Sequence, residues 1–167
     1  MAQPATKNAP TASIEEGSKA PSCSLPLTNG ETVNLADYKG KKNVVLYFYP
    51  KDDTPGCTTE NKDFTALSAD FAAAGVALLG ISKDTPEKHA KFIAKHALTV
   101  PLASDSAEGG LSDALGIWTE KLNYGRAYRG MVRTTLLIGA DGKIARVWSK
   151  VKVKDHAAQV LEAARAL

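Results

Sequence analysis

Residues 44–60 read VVLYFYPKDDTPGCTTE, and the fold turns on how this stretch is read. Val44 to Tyr49 form an unbroken apolar run rich in β-branched and aromatic residues. The run is too short for a free-standing helix, so it predicts a strand buried on both faces. Pro50 ends the strand and a polar loop follows. Thr54 then suits a helix N-cap and Pro55 the first helical position. Cys57 falls in the first turn of that helix, among unpaired backbone N–H groups at the positive end of the helix dipole, where thiolate is favoured over thiol. Buried free cysteines often act only as small hydrophobes. Cys57 is flanked by Gly56, Thr58, Thr59 and Glu60 instead of apolar neighbours, which points to a reactive thiol.

Upstream, CSLPLT and ETVNL alternate apolar and polar residues around Asn29-Gly30, the two-residue signal for a type I′ hairpin. Downstream, Phe64, Leu67, Phe71 and Ala74 recur at helical spacing, and Gly75 stands where a C′ glycine belongs. This predicts one continuous helix. Val76 to Ser82 is a second strand, and strand, helix, strand implies a parallel pair with a right-handed crossover. Thr85-Pro86-Glu87 restarts a helix carrying Ala90, Phe92, Ile93 and Ala97 on its apolar side. Val100 to Leu102 reads as a short strand and Leu111 to Leu115 as a brief helix. Residues 117–130 show no clean period and read as a long loop. Met131 to Ile138 and the following IARVWS form an antiparallel hairpin around Ala140-Asp141-Gly142-Lys143. Asp155, as N-cap, opens a closing Ala-rich helix. The order gives an α/β sandwich, a central mixed β-sheet with helices on both faces and an N-terminal β-hairpin.

A chain of 167 residues fits one domain. Residues 1–14 are expected to be a disordered tail without an apolar signal region, and 15–167 the folded unit. No apolar run reaches membrane-spanning length. The net charge of +3 is scattered, without the basic tracts that mark nucleic-acid binding, so neither membrane nor nucleic acid is expected as a partner and a cytoplasmic protein is. Two cysteines cannot form a disulfide framework. His89, His96 and His156 are not grouped with acidic or sulfur ligands, so surface roles are assigned to them, and no metal or cofactor is expected.

Pro50-x-x-x-Thr54-x-x-Cys57, the longer YFYPKDDTPGCTTE, the GSKAP opening, Tyr124-Gly125-Arg126 and the segment Arg133 to Ile138 together resemble the peroxiredoxins, in their bacterioferritin-comigratory or PrxQ subfamily. The resemblance spans nearly everything from Gly17 onward and implies a thioredoxin-like fold. It further implies a thiol peroxidase protecting against oxidative stress, in which Cys57 attacks hydrogen peroxide or an organic hydroperoxide and becomes a sulfenic acid. Arg133 would stabilise the thiolate. The Thr54 hydroxyl and the Cys57 backbone N–H would donate hydrogen bonds to the peroxide, Pro50 would shield the sulfur, and Glu60 would orient Arg133.

Relatives commonly carry a second cysteine five residues after the first or in the next helix. Here Lys62 and the cysteine-free segment Thr85 to Leu98 stand in those places. Cys23 can be a core filler or a resolving thiol. The first is preferred, which implies a one-cysteine cycle completed by an external thiol such as thioredoxin or a glutaredoxin/glutathione system. A thioredoxin-like thiol–disulfide oxidoreductase would need a second thiol where Glu60 sits. A non-enzymatic redox-sensing or chaperone module would need neither Thr54 nor Arg133. No long exposed apolar stripe demands a partner, so a monomer is expected.

Overall fold

The computed structural model describes residues 14–107 and 110–167. The expected tail therefore lies outside the described residues except for Ile14, which packs against one of the cores. The chain opens with an antiparallel hairpin of β1 (Ser24–Pro26) and β2 (Thr32–Asn34). Its turn is not type I′, which needs two central residues at positive φ. Only Gly30 takes one, +83°, while the Asn29 side chain accepts from the Glu31 N–H at 3.0 Å. A 3-10 turn at Leu35–Tyr38 leads into β3 (Asn43–Phe48), the run on which the sequence reading rests.

β3 pairs in parallel with β4 (Val76–Ser82) and antiparallel with β8 (Thr134–Ile138). With β5 (Leu102–Ser104) and β9 (Ile144–Ser149) they form a five-stranded mixed sheet in the order β5-β4-β3-β8-β9. Alternate residues of a strand face opposite sides, and β3 is buried on both. Val45 and Tyr47, with Tyr49 just past the strand, enter a core with Phe64, Phe71, Phe92 and Val160. Val44, Leu46 and Phe48 enter the other with Leu25, Leu35, Met131 and Leu136. The first core lies under α1 (Pro55–Ala66), α2 (Ser68–Ala73), α3 (Pro86–His96) and α5 (His156–Arg165). The second lies under the N-terminal hairpin and α4 (Leu111–Ala114). Helices thus cover both faces, unequally.

The structure differs from the sequence reading at several points. The helix expected through Ala74 breaks at Leu67, whose φ of −100° and ψ of 4° leave the helical region. The Ser68 hydroxyl donates to the Thr65 carbonyl at 2.8 Å there, a local bond that competes with the helical ladder. The region expected as a long loop is a hairpin, β6 (Trp118–Asn123) with β7 (Arg126–Met131). Tyr124 and Gly125 turn it at φ of 53° and 76°, the type I′ signature that the Asn29-Gly30 turn lacks. The strand expected over 131–138 is interrupted at Val132 and Arg133, and the short strand expected at Val100 to Leu102 begins at Leu102 instead. Asp155 does precede α5, but in a left-handed conformation (φ 61°) and without a side-chain cap.

Candidate active site

Cys57 lies where β3 hands over to α1, at the carboxyl end of the central strand, the edge at which open α/β sheets place their ligands. Strand and helix are tied by a buried relay. The Tyr47 hydroxyl donates to Asn61 Oδ1 at 2.7 Å, and Asn61 Nδ2 donates to the Cys57 carbonyl at 2.9 Å. The Tyr47 ring stacks on Phe64 with centroids 4.2 Å apart. This relay sets where the cysteine backbone sits, and the sequence reading passed over both of its members. Its only sequence trace is an amide four residues after the cysteine, one helical turn away.

Arg133 meets the sulfur from the break between β7 and β8. Its Nη2 donates to Cys57 Sγ at 3.4 Å and its Nη1 to Glu60 Oε1 at 2.5 Å. The Val151 N–H holds its carbonyl at 3.0 Å. Burial works against the guanidinium's charge, but Glu60 and Cys57 outweigh it and raise Arg133 above its ordinary value. A permanent cation at the sulfur stabilises a thiolate. Gly56 makes the approach feasible, since a Cβ there would meet Arg133 Nη2 at 3.2 Å. Glu60 is 1% exposed. Its Oε2 is buried without a hydrogen-bond partner, and burial pushes the carboxyl up to about 7 even though Arg133 pulls it down.

Thr54 stands at the N-cap position of α1, where its carbonyl accepts from the Thr58 N–H at 2.8 Å. Its hydroxyl makes no cap bond and donates instead to the Lys51 carbonyl at 2.8 Å. The side-chain cap expected of Thr54 is therefore absent, and its hydroxyl proton, expected to be donated to a peroxide, is given to Lys51 instead. With its proton turned to Lys51, the oxygen keeps its lone pairs as acceptors. Pro50 links β3 to this loop, half-buried.

The loop is clamped from beneath by a histidine that the sequence reading had put on the surface. His89 is fully buried, with Nδ1 2.6 Å from Asp52 Oδ2 and Nε2 3.1 Å from the Ala103 carbonyl. The Tyr49 hydroxyl donates to the other Asp52 oxygen at 2.6 Å, and the Asp52 N–H donates to Asp84 at 2.8 Å. His89, Phe92, Ile93 and His96 follow the i, i+3, i+4, i+7 spacing of a buried stripe. That signal was present in the sequence, but polarity outweighed periodicity. His156 is buried as well, 2.8 Å from Thr135 Oγ1. Burial, then the charge of Arg133, pushes it down to about 4. Among the described residues no group of His, Cys, Asp or Glu is placed to hold a metal ion.

Cys23, half-buried, packs against the core on the opposite face of the sheet from Cys57. Burial, then the charge of Asp105, pushes its thiol up to about 11. At neutral pH it is a protonated thiol, across the sheet from Cys57.

A lone helix-start cysteine gripped by an arginine, in a thioredoxin-like layering, defines a cysteine peroxidase and not a dithiol exchanger, which needs a second sulfur within the same turn. Residues 17–147 match the model of the AhpC/TSA family. Peroxiredoxin Bcp of Bacillus subtilis is 49% identical over 149 residues, covering 89% of this chain and 94% of that one. Among solved structures, the Xanthomonas campestris bacterioferritin comigratory protein, described for its alkyl peroxide reduction activity, superposes with a TM-score of 0.80 at 41% identity, covering 86% of this chain and 90% of that one. A PrxQ mutant of Xylella fastidiosa superposes at 0.85 with 36% identity, covering 92% and 96%. The chain belongs to the AhpC/TSA family, within its Bcp/PrxQ peroxiredoxins. As a peroxiredoxin it is a thiol peroxidase with a thioredoxin-like fold.

Proposed function

We propose that the chain reduces hydrogen peroxide and organic hydroperoxides at Cys57 by a one-cysteine cycle. The observation that carries this is the Cys57–Arg133–Glu60 row, with Nη2 at 3.4 Å from Sγ. In the first half-reaction the thiolate attacks one peroxide oxygen. The S–O bond forms as the O–O bond breaks, and the departing oxygen takes a proton and leaves as water or an alcohol. Two groups of fixed position suit the substrate. The Thr54 oxygen accepts a hydrogen bond from the peroxide O–H, and the Cys57 backbone N–H, free in the first turn of α1, donates toward the oxygen on which charge develops. Arg133 holds the sulfur anionic and in place, Glu60 holds Arg133, and Pro50 walls the loop side.

In the second half-reaction an external thiol reduces the sulfenic acid. The half-buried Cys23, across the sheet and protonated, serves as a packing residue. The reductant is a thioredoxin or a glutaredoxin/glutathione system, and the protein acts as a cytoplasmic monomer. Stopped-flow peroxide consumption by wild type and Cys57→Ser tests the reading. The serine variant is expected to lose the fast reaction entirely, and comparable rates in the two would overturn the assignment in favour of a non-enzymatic sensor or chaperone module.

A further inference from the structure

Cys57 and Glu60, three residues apart on α1, share one side of the helix. Arg133 joins them from the break between β7 and β8, with Nη2 on the sulfur and Nη1 on Glu60 Oε1. Both acids are buried. Glu60 Oε2 is buried without a hydrogen-bond partner, where a negative charge is costly and a neutral carboxyl far less so. The surroundings add no second positive charge. Burial raises Glu60, Arg133 pulls it down, and Asp63 on α1 raises it again. Asp63 is itself raised by burial and then by Asp155, which precedes α5. Tyr47 on β3 stays a neutral phenol, because burial and then the charge of Glu60 hold it well above its ordinary value. His156 on α5, pushed down to about 4 by burial and then by Arg133, is neutral above that pH. Among the described residues Arg133 is the one cation paired with Glu60. One guanidinium thus faces two acids, and with both ionised the buried row carries a net negative charge.

We propose that Cys57 and Glu60 share one proton across Arg133, and that Glu60 is the proton store of the peroxide step. The inference rests on Cys57 as the attacking thiol, proposed above. Two acids that compete for one cation in a poorly solvated site do not both ionise freely, and they titrate as a pair. In the reduced protein the thiolate takes the charge of Arg133 and the carboxyl keeps its proton. As the thiolate attacks, the S–O bond forms, the O–O bond breaks, and the departing oxygen needs one proton. The sulfenic acid is neutral, so the charge of Arg133 falls to Glu60 alone. Glu60 then gives up one proton, which balances the one taken by the departing oxygen. Reduction by two external thiols reverses the exchange. The first forms an S–S bond to Cys57 as its proton leaves with the hydroxyl as water. The second releases the free disulfide and the Cys57 thiolate, and its proton returns to Glu60. The row keeps the same net charge throughout. Glu60 acts here through Arg133 and does not touch the peroxide.

The test counts protons when the charge on the sulfur is removed. The full chain carrying Cys23→Ala, so that a single sulfur reacts, is alkylated with iodoacetamide at about pH 7.5 in the presence of an indicator dye, with and without Glu60→Gln. A thiolate expels iodide on alkylation and releases no proton of its own. The protein with Glu60 is expected to release about one proton more per alkylated cysteine than the Glu60→Gln variant, because the shared proton is lost wherever it sat. Infrared difference spectra of the same reaction locate that proton. A carboxylic-acid carbonyl band is expected to vanish on alkylation, and to be missing from the variant. Equal proton release in the two proteins overturns the proposal. So does the absence of a vanishing carboxylic-acid band in the protein with Glu60, a result that stands even if the near-isosteric variant fails to fold. Stopped-flow peroxide consumption by the same proteins separates the two readings. Fast consumption with equal proton release removes the shared proton and leaves the peroxidase standing, whereas a Cys57 that consumes no peroxide brings down the step that the store would serve.

Discussion

Gly56 is subject to two opposing demands. It occupies the second position of α1, where alanine is a better helix former by about 1 kcal/mol. A methyl group there, however, stands 3.2 Å from the guanidinium nitrogen that touches the sulfur, so Arg133 must shift by a few tenths of an ångström. Gly56→Ala is therefore expected to keep or slightly raise the melting temperature while slowing peroxide consumption roughly three- to tenfold, since small misplacements of catalytic groups are costly. A variant that melts lower, or reacts at the wild-type rate, contradicts this reading of the site. Glu60 gives a second expectation. Its carboxyl is raised from 4.5 to about 7, so the folded state binds its proton more tightly than the unfolded chain does. The resulting stability is fully present below about pH 4.5 and is lost as pH rises through about 7. Denaturation of wild type and Glu60→Gln across this window should show the wild type losing stability relative to the variant, on the order of 3 kcal/mol in all. A difference independent of pH would show that the buried carboxyl does not titrate there. Cys57, Thr54 and Arg133 were legible in the sequence because each sits in a patterned motif. Asn61 and His89 were not, because a polar residue on a buried helix face looks the same in sequence as one on a wet face until its partner is known.

The elements that carry the site were read well where hydrophobic period and length agreed, as in β3, β4 and α3. They were misread where a polar side chain or an unusual turn decided the outcome, as at Ser68 and at Tyr124-Gly125. Tyrosine is an uncommon choice for the positive φ of a type I′ turn, and it is 97% exposed here, so β6 and β7 gave no hairpin signal. Within the sheet, Gly80 of β4 stands beside Tyr47 of β3 in register. A Cβ at Gly80 would lie 2.9 Å from the Tyr47 ring and 2.6 Å from Leu102 Cδ2. Leu102 can turn aside, but the Tyr47 ring is fully buried, stacked on Phe64 and bonded to Asn61. Gly80→Ala is expected to cost about 1 to 3 kcal/mol of stability by overpacking. It should also slow peroxide consumption, because displacing Tyr47 loosens the relay to the Cys57 carbonyl. Urea denaturation with parallel kinetics checks both. A loss of stability with unchanged kinetics would mean that the relay does not position the cysteine.

At the scale of the molecule, the sheet is a partition. The core containing Cys57 gathers the rings of Tyr47, Phe64, Phe71 and Phe92 under four helices, while Cys23 packs with Leu25, Val33 and Leu46 beneath the N-terminal hairpin. The layering was visible in the sequence as a strand apolar on both sides, although the sequence reading counted one core where the sheet divides two. Which cysteine went to which core was not visible, because CSLPLT is too short for its period to assign a face. A disulfide between the two sulfurs would require the β1–β2 hairpin or the first turn of α1 to leave its core, exposing several fully buried side chains. Cys23→Ala is accordingly expected to leave turnover with an external thiol within a factor of about two of wild type, and to cost about 1 kcal/mol or less of stability because the residue is only half-buried. Steady-state peroxidase assays and non-reducing mass spectrometry after one peroxide equivalent measure it. Wild type should show Cys57 as a sulfenic acid or its thiol adduct, with Cys23 reduced. A Cys23→Ala variant that stalls after one turnover would show that the partition opens during catalysis.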